Sequence, residues 1–277
     1  GGGVSDCIVS DCVLNGNRAT GAGAGGGATG GILSNCTIIG NSASFGGGAC
    51  DGTLFSCGLF DNSAESGGGA VGGTLYNCTI IGNMATESGG GVYALWSPCI
   101  LYNSIVYYND APSGANHSDA TFNYSCTTPS PGGAGNIADE PQLVNVGSGN
   151  YRLQAISPCI NRGMNQSWMT SAYDLDGNAR LYAGGIVDMG AYEFQGTPTL
   201  LHPEVLYDAS FGMVSNRFGF NINWNSGRVV VVDANTNLNT TNWLPIATNT
   251  FLGDPWCFVD SKWTNFIGRF YRIRSIP

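Results

Sequence analysis

Charge is scarce in this sequence. Asp, Glu, Lys and Arg together make up 10% of its 277 residues, lysine occurs once (Lys262) and histidine twice. The few charges are also unevenly spread. Residues 1–126 hold eight acids and the single base Arg18, 127–196 hold six acids and three arginines, and 197–277 hold five acids and six bases. A nucleic-acid surface needs clustered Lys and Arg to displace counterions from phosphates, so the first two thirds exclude that partner. No run is long and apolar enough to span a bilayer. No C-x-x-C pair or Cys/His spacing of a zinc site occurs either. With 43% hydrophobic residues the chain is nonetheless rich enough in apolar side chains to fold rather than stay disordered.

What is abundant is glycine, with 43 residues, and cysteine, with ten. Both are periodic. "LSNCTIIGNSASFGGG" (33–48), "LFSCGLFDNSAESGGG" (54–69) and "LYNCTIIGNMATESGGG" (75–91) are one pattern written three times. Cys12, Cys36, Cys57 and Cys78 are spaced by 24, 21 and 21 residues, and each follows the last Gly of a triplet (Gly3, Gly27, Gly48, Gly69) by nine. Asn17, Asn41, Asn62 and Asn83 share that frame, and a degenerate unit puts Ser104 and Asn109 in the Cys and Asn columns. A fixed period of this size marks a solenoid, whose units bury their apolar faces only by stacking. A leucine-rich repeat would need aliphatic or helical second halves. Here those halves are glycine-rich, at about 1 kcal/mol per Gly against a helix, while glycine suits tight corners.

Each unit therefore reads as one coil of a right-handed parallel β-helix, with coils about 4.8 Å apart. Cys36/Ile38, Cys57/Leu59 and Cys78/Ile80 should point inward, with Leu33, Leu54 and Leu75 entering from a bend. Cys12, Cys36, Cys57 and Cys78 should form a stack of thiols acting as small hydrophobes rather than disulfides, and the Asn column a ladder of side-chain amides. Among the remaining cysteines a disulfide stays open. The chain opens on a glycine triplet, the end of a unit, with no basic-then-apolar leader before it, and so reads as a piece of something longer.

The repeats "NCTIIGNSA" followed by "GGG" resemble the right-handed parallel β-helix family of secreted pectate-lyase-like and bacterial surface proteins. "DEPQLVNVGSGNYRLQAISPCINRGMN" (139–165) with "DLDGNARLYAGGIVDMGAYEFQ" (174–195) is similar to the closing region of bacterial choice-of-anchor Q domain proteins, departing at Glu140 and Cys159. The resemblance implies an extracellular or cell-surface protein, of a kind whose relatives carry various C-terminal attachment or sorting modules; it does not imply an enzyme. From Thr197, β-branched and aromatic runs ("RFGFNINW", "GRVVVVDANTNL", "WLPIATNTF", "WCFVDSK", "RFYRIRSI") separated by Asn, Gly and Pro predict an antiparallel β-sandwich. It resembles small C-terminal β-domains on secreted proteins of Verrucomicrobia-like bacteria. The expected divisions are coils over 1–126, a closing segment over 127–196 and the sandwich over 197–277.

Candidate chemistry is thin. A polysaccharide lyase on this scaffold needs a basic residue, and Arg18 is the only Arg or Lys before Arg152. A glycosidase needs paired acids, for which Asp61, Glu65 and Glu87 are the candidates. Asp174, Asp176 and Asn178 invite a calcium ion, but the spacing is not an EF-hand and a capped turn with Gly177 at positive φ and Arg180 as salt partner fits better. No cofactor is expected, calcium being the alternative. His117 and His202 lie in a polar loop and a linker. Ile39, Phe60, Ile81 and Tyr107 alternate away from the core positions and should form an outward apolar stripe, an interface unless the C-terminal domain or the 110–135 loop covers it. The open first coil is a second candidate interface. Asn35, Asn77, Asn116, Asn123, Asn165 and Asn239 sit in N-x-S/T triplets. These features predict a non-catalytic extracellular structural or adhesive module that self-associates into surface filaments or meets other surface proteins or a polysaccharide. A carbohydrate-active enzyme is the alternative.

Overall fold

The computed structural model describes residues 1–182, 185–199, 203–206, 209–214 and 217–276. The chain divides into two compact units, Gly1–Thr197 and Pro198–Pro277. Both are all-β, with only short 3-10 turns besides strands. His202 lies outside the described residues.

The first unit is a parallel β-solenoid. Strands of two to four residues recur three per winding and form three parallel sheets, each six strands deep. One sheet stacks Val4–Ser5 through His117–Ser118, the next Ile8–Ser10 through Thr121–Asn123, and the third Val13–Asn15 through Cys126–Thr127. The registers are unbroken: Leu14, Ile38, Leu59, Ile80 and Val106 lie one above the other, as do Val9, Leu33, Leu54, Leu75, Leu101 and Phe122. Leu33, Leu54 and Leu75 were expected at a bend. They instead sit within strands, because the corner comes two residues later, at Asn35, Ser56 and Asn77, which adopt φ near +50°. Each of these leucines is at most 1% exposed, a burial that stabilises the fold by about 1.5–3 kcal/mol per side chain.

The glycine triplets have a steric cause. Their first members, such as Gly46 and Gly67, turn the chain at φ +62° and +67°. The other two leave no room for a Cβ: one built on Gly47 would lie 2.3 Å from Ser63 O, and one on Gly48 would lie 2.6 Å from Gly69 O. The backbones of successive windings touch directly there.

The second unit is a pair of antiparallel sheets sharing one core. Strands Glu204–Leu206 and Gly212–Val214 both pair with Arg217–Asn223, which pairs on its other side with Trp256–Asp260. Val229–Asn235 is the centre of the other sheet, between Leu244–Thr250 and Phe270–Ile276. Phe220, Ile222, Val230, Val232, Phe251 and Phe258 fill the space between them. The basic final strand is neutralised locally, since Arg272 and Arg274 both reach Asp233 and Arg269 reaches Asp260.

Candidate functional site

The asparagine column is a continuous ladder with one polarity. The Oδ1 of Asn41 accepts from both N and Nδ2 of Asn17 at 2.8 and 3.0 Å. Asn62 does the same for Asn41, Asn83 for Asn62 and Asn109 for Asn83, all within 2.9–3.0 Å. Asn116 ends the series, accepting from Asn109 and donating to Thr128 O. It stands in the register position of Gly91, so the last winding replaces a glycine with the residue that closes the ladder.

The thiols also form a column, with a role the sequence did not disclose. Cys36, Cys57 and Cys78 are fully buried, Cys12 is exposed on the first winding, and all ten cysteines are free. Each buried Sγ lies 3.2–3.4 Å from the carbonyl two residues back, on Ser34, Phe55 and Tyr76. Ser104 and Ser125 make the same contact with their hydroxyls at 3.0 Å. They also accept the amide of the preceding winding, as Cys57 Sγ does from Cys36 N at 3.5 Å. These cysteines are therefore hydrogen-bonding groups as much as apolar filler. Burial pushes the Cys57 thiol well above its usual range, and hydrogen bonding to Cys57 followed by burial does the same to Cys36. Cys36 and Cys57 are therefore inert thiols rather than nucleophiles.

The expected exposed stripe is corrected. Phe60 is 4% and Ile81 1% exposed, and Ile39 and Tyr107 are half-buried. The cover is not the 110–135 loop but residues 143–194 of the same unit. Leu143, Tyr151, Leu153, Ile160 and Met189 pack onto the stripe in one cluster, with the Tyr151 ring stacked on Phe60 at 4.4 Å. Two corner residues anchor this cover. Asn77 Nδ2 donates to Asp188 O, and Asn103 exchanges bonds with both N and O of Met164 while its own carbonyl accepts from Gly190 N. Asn77 and Asn103 are 0% exposed, so Asn77, like the ladder residue Asn116, is no glycosylation acceptor in the folded chain. Sequence spacing did offer a signal for both: each precedes the Cys or Ser of its winding by one residue.

The motif residues of the closing region converge under that cover. Arg180, fully buried, donates to Asp188 O and Gly190 O and pairs with Glu193 at 3.5 Å. Burial, then the neighbouring Asp188 carboxylate, pushes Glu193 up to about 8 against the pull of Arg180. Burial likewise raises Asp188 to about 6 and lowers Arg180. One cation facing several buried carboxylates leaves the cluster short of positive charge, which favours a protonated Glu193.

The three calcium candidates form a capped turn. Asp174 is 1% exposed, and its two oxygens accept from Asp176 N, Asn178 N, Asn178 Nδ2 and Glu193 N. Those donors occupy the lone pairs a cation would need. Gly177 supplies φ +84°. The salt partner is Arg152, bound to Asp176, rather than Arg180. Among the described residues no cluster of three or more His, Cys, Asp or Glu is placed to hold a metal.

Asp61, Glu65 and Glu87 are all exposed. Asp61 stands at a corner with φ +51°, while Glu65 and Glu87 lie on the following strands and accept from Ser44 and Ser66 of the preceding windings at 3.4 and 3.3 Å. A small polar cleft of about 240 Å³ does bring Glu65 near Arg18 and Ser44. His117 Nε2 donates to Pro129 O at 3.0 Å and the ring packs against Phe122.

The last winding is closed by its own chain: Asn136 Oδ1 accepts from Ser125 N, Ile137 bridges to Cys126, and Thr128 O takes the last ladder proton. On the first winding Ile8 is 81% and Val13 67% exposed, with Cys7 and Cys12 exposed beside them.

No known protein-family pattern matches this chain, and no curated protein sequence does. No helix of the described residues is long and apolar enough to cross a membrane.

Proposed function

We propose that this protein is a non-catalytic structural or adhesive solenoid module of the cell exterior. The observation that carries the reading is the uninterrupted asparagine ladder, in which Asn41, Asn62, Asn83 and Asn109 each accept two protons from the winding before, so that the repeated polar positions serve stacking. The buried thiols and the hydrogen-bonded Asp174 fit the same structural role.

The experiment is incubation with a panel of polysaccharides: the chain should release no unsaturated or reducing ends above a heat-denatured control, and release that is abolished in Glu65→Gln refutes the reading.

A second reading, action on a polysaccharide, draws on the polar cleft shared by Arg18, Ser44 and Glu65. Release of unsaturated or reducing ends from a polysaccharide panel, abolished in Glu65→Gln, would establish it in place of the first.

A further inference from the structure

Two cysteines meet across the seam between the solenoid and its cover. Cys126 lies on the last strand of the third sheet, in register with Ile105 and so in the outward column that also holds Thr79, whose hydroxyl accepts from Ala191 N of the cover. Cys159 belongs to the cover itself. Both are 0% exposed and share one core cluster with Phe60, Ile81 and Met189, and their thiols lie within hydrogen-bonding reach of each other. Each backbone is held in place independently. Cys126 N donates to Ser104 O at 2.8 Å, Cys159 N donates to Ser157 Oγ at 3.2 Å, and Cys159 O accepts from Met189 N at 3.0 Å. This opposed pair differs from the column at 36, 57 and 78. There the side chains project in one direction from stacked windings, and Cys57 Sγ is committed to Cys36 N as well as to Phe55 O. Cys126 gives its thiol proton to Asp139 O at 3.2 Å, a weak bond whose loss costs little.

We infer that Cys126 and Cys159 are a disulfide-forming pair, which locks the cover to the last winding when a low-molecular-weight disulfide such as oxidised glutathione is present as oxidant. The thiolate of one cysteine attacks a sulfur of that disulfide and releases one glutathione; the thiolate of the other attacks the resulting mixed disulfide and releases the second. The protein loses two electrons and two protons, both carried away on two glutathione thiols, and the S–S bond of the oxidant is exchanged for one in the protein. In the folded chain the pair is sealed from solvent, and burial pushes the Cys159 thiol well above its usual range, so the exchange belongs to the stage before the cover has closed. Closure then selects the partner, because it seats Cys159 against Cys126 rather than against a column thiol. The bond closes a 33-residue loop and stabilises the fold by restricting the unfolded chain. An exterior compartment supplies such an oxidant, yet the pairing follows from the packing and is tested on the isolated chain, independently of where the protein resides.

The full 277-residue chain is held with oxidised and reduced glutathione in urea just below its unfolding midpoint, where the cover opens and recloses, and is then returned to urea-free buffer. Remaining thiols are alkylated after an acid quench, and the links are mapped by mass spectrometry of chymotryptic peptides. Most chains should carry one link, between Cys126 and Cys159, with the other eight of the ten cysteines alkylated. The linked chain should melt about 5–10 °C above the same chain after reduction, and that difference should vanish in Cys159→Ser. Recovery of both cysteines as free thiols or as glutathione adducts, or a bond from either to a different cysteine, overturns the inference. A Cys126–Cys159 bond that leaves the midpoint where the reduced chain has it overturns it as well, since the cover is then not locked, and so does a midpoint difference that persists in Cys159→Ser. The mapping uses the wild-type chain and decides the matter even where Cys159→Ser fails to fold.

Discussion

Replacing Asn62 by Ala is the sharpest test of the ladder. Asn62 is 1% exposed. Its Oδ1 accepts from Asn41 N and Nδ2, and its Nδ2 donates to Ile38 O and Asn83 Oδ1. Alanine removes all four bonds at once. The losses are unequal: Asn41 Nδ2 keeps Leu14 O and Ile39 O as acceptors and Asn83 Oδ1 keeps the amide of residue 62, whereas Asn41 N loses the acceptor that holds it. With about 1 kcal/mol for each of the four neutral bonds and a further 1–3 for the orphaned buried donor, the cost reaches about 5–7 kcal/mol, less whatever the retained partners recover. Asn62→Asp should be worse at neutral pH, because it keeps the acceptor but turns a second oxygen toward Ile38 O and Asn83 Oδ1, where only a donor fits. Asn17→Ala should cost about 1 kcal/mol or less, since Asn17 is half-buried and only donates within the ladder. Urea unfolding followed by circular dichroism measures all three. Equal costs for Asn17→Ala and Asn62→Ala, or an Asn62→Asp chain as stable as wild type, would refute a cooperative, polar ladder.

The buried cluster gives a pH dependence of definite sign. Glu193 holds its proton to about pH 8, above its ordinary value of 4.5, so the stability from the protonated form is full below about pH 4.5, declines as pH rises and is gone above 8; at 1.36 kcal/mol per unit the span is at most about 5 kcal/mol. Glu193→Gln, which mimics the neutral acid, should flatten that decline in urea melts taken from pH 6 to 9, and an unchanged slope would count against the cluster. Cys57→Ser should stay within about 1 kcal/mol of wild type because Ser104 already plays the part, while Cys57→Val, which keeps the apolar volume, should lose about 1–2 kcal/mol with its two polar contacts; the reverse order would return the column to simple hydrophobic packing. Calcium chloride or a chelator should leave the thermal midpoint unmoved, and Asp176→Asn should cost under about 1 kcal/mol as the loss of an exposed ion pair; a calcium-dependent rise in midpoint lost in that variant would instead establish a cation at the turn.

The solenoid was legible because stacking makes every winding impose the same demand on the same position. Glycine at 47, 48, 68 and 69, asparagine at 41, 62 and 83, and leucine at 33, 54 and 75 each repeat a steric or hydrogen-bonding constraint, so spacing alone revealed register. The sandwich strands 217–223, 229–235, 244–250, 256–260 and 270–276 each fall on a β-branched or aromatic run, while 204–206 and 212–214 are too short to leave such a mark. Cover was not legible. Alternation places Phe60 and Ile81 on the outer face of a strand, yet it carries no information about a segment roughly 80 to 130 residues later that folds back over them. The same limit hid the convergence of Arg180, Asp188 and Glu193. Their order along the chain was recognisable as a motif, but only the tertiary path discloses that they form one buried charge cluster beneath Asn77 and Asn103.

The one-way ladder makes lengthening cheap and slippage costly. Since each Asn offers its oxygen to the winding before and a proton to the winding after, a duplicated block of 21 residues, the interval from Asn41 to Asn62, inserts with every bond intact. Extra residues are accommodated in the loops that lengthen the Asn17–Asn41 and Asn83–Asn109 intervals to 24 and 26 residues, whereas an insertion within a strand shifts the register and breaks the column. Growth of such a protein over evolutionary time is thereby confined to whole-unit copying, and its axial length becomes a tunable quantity independent of its cross-section.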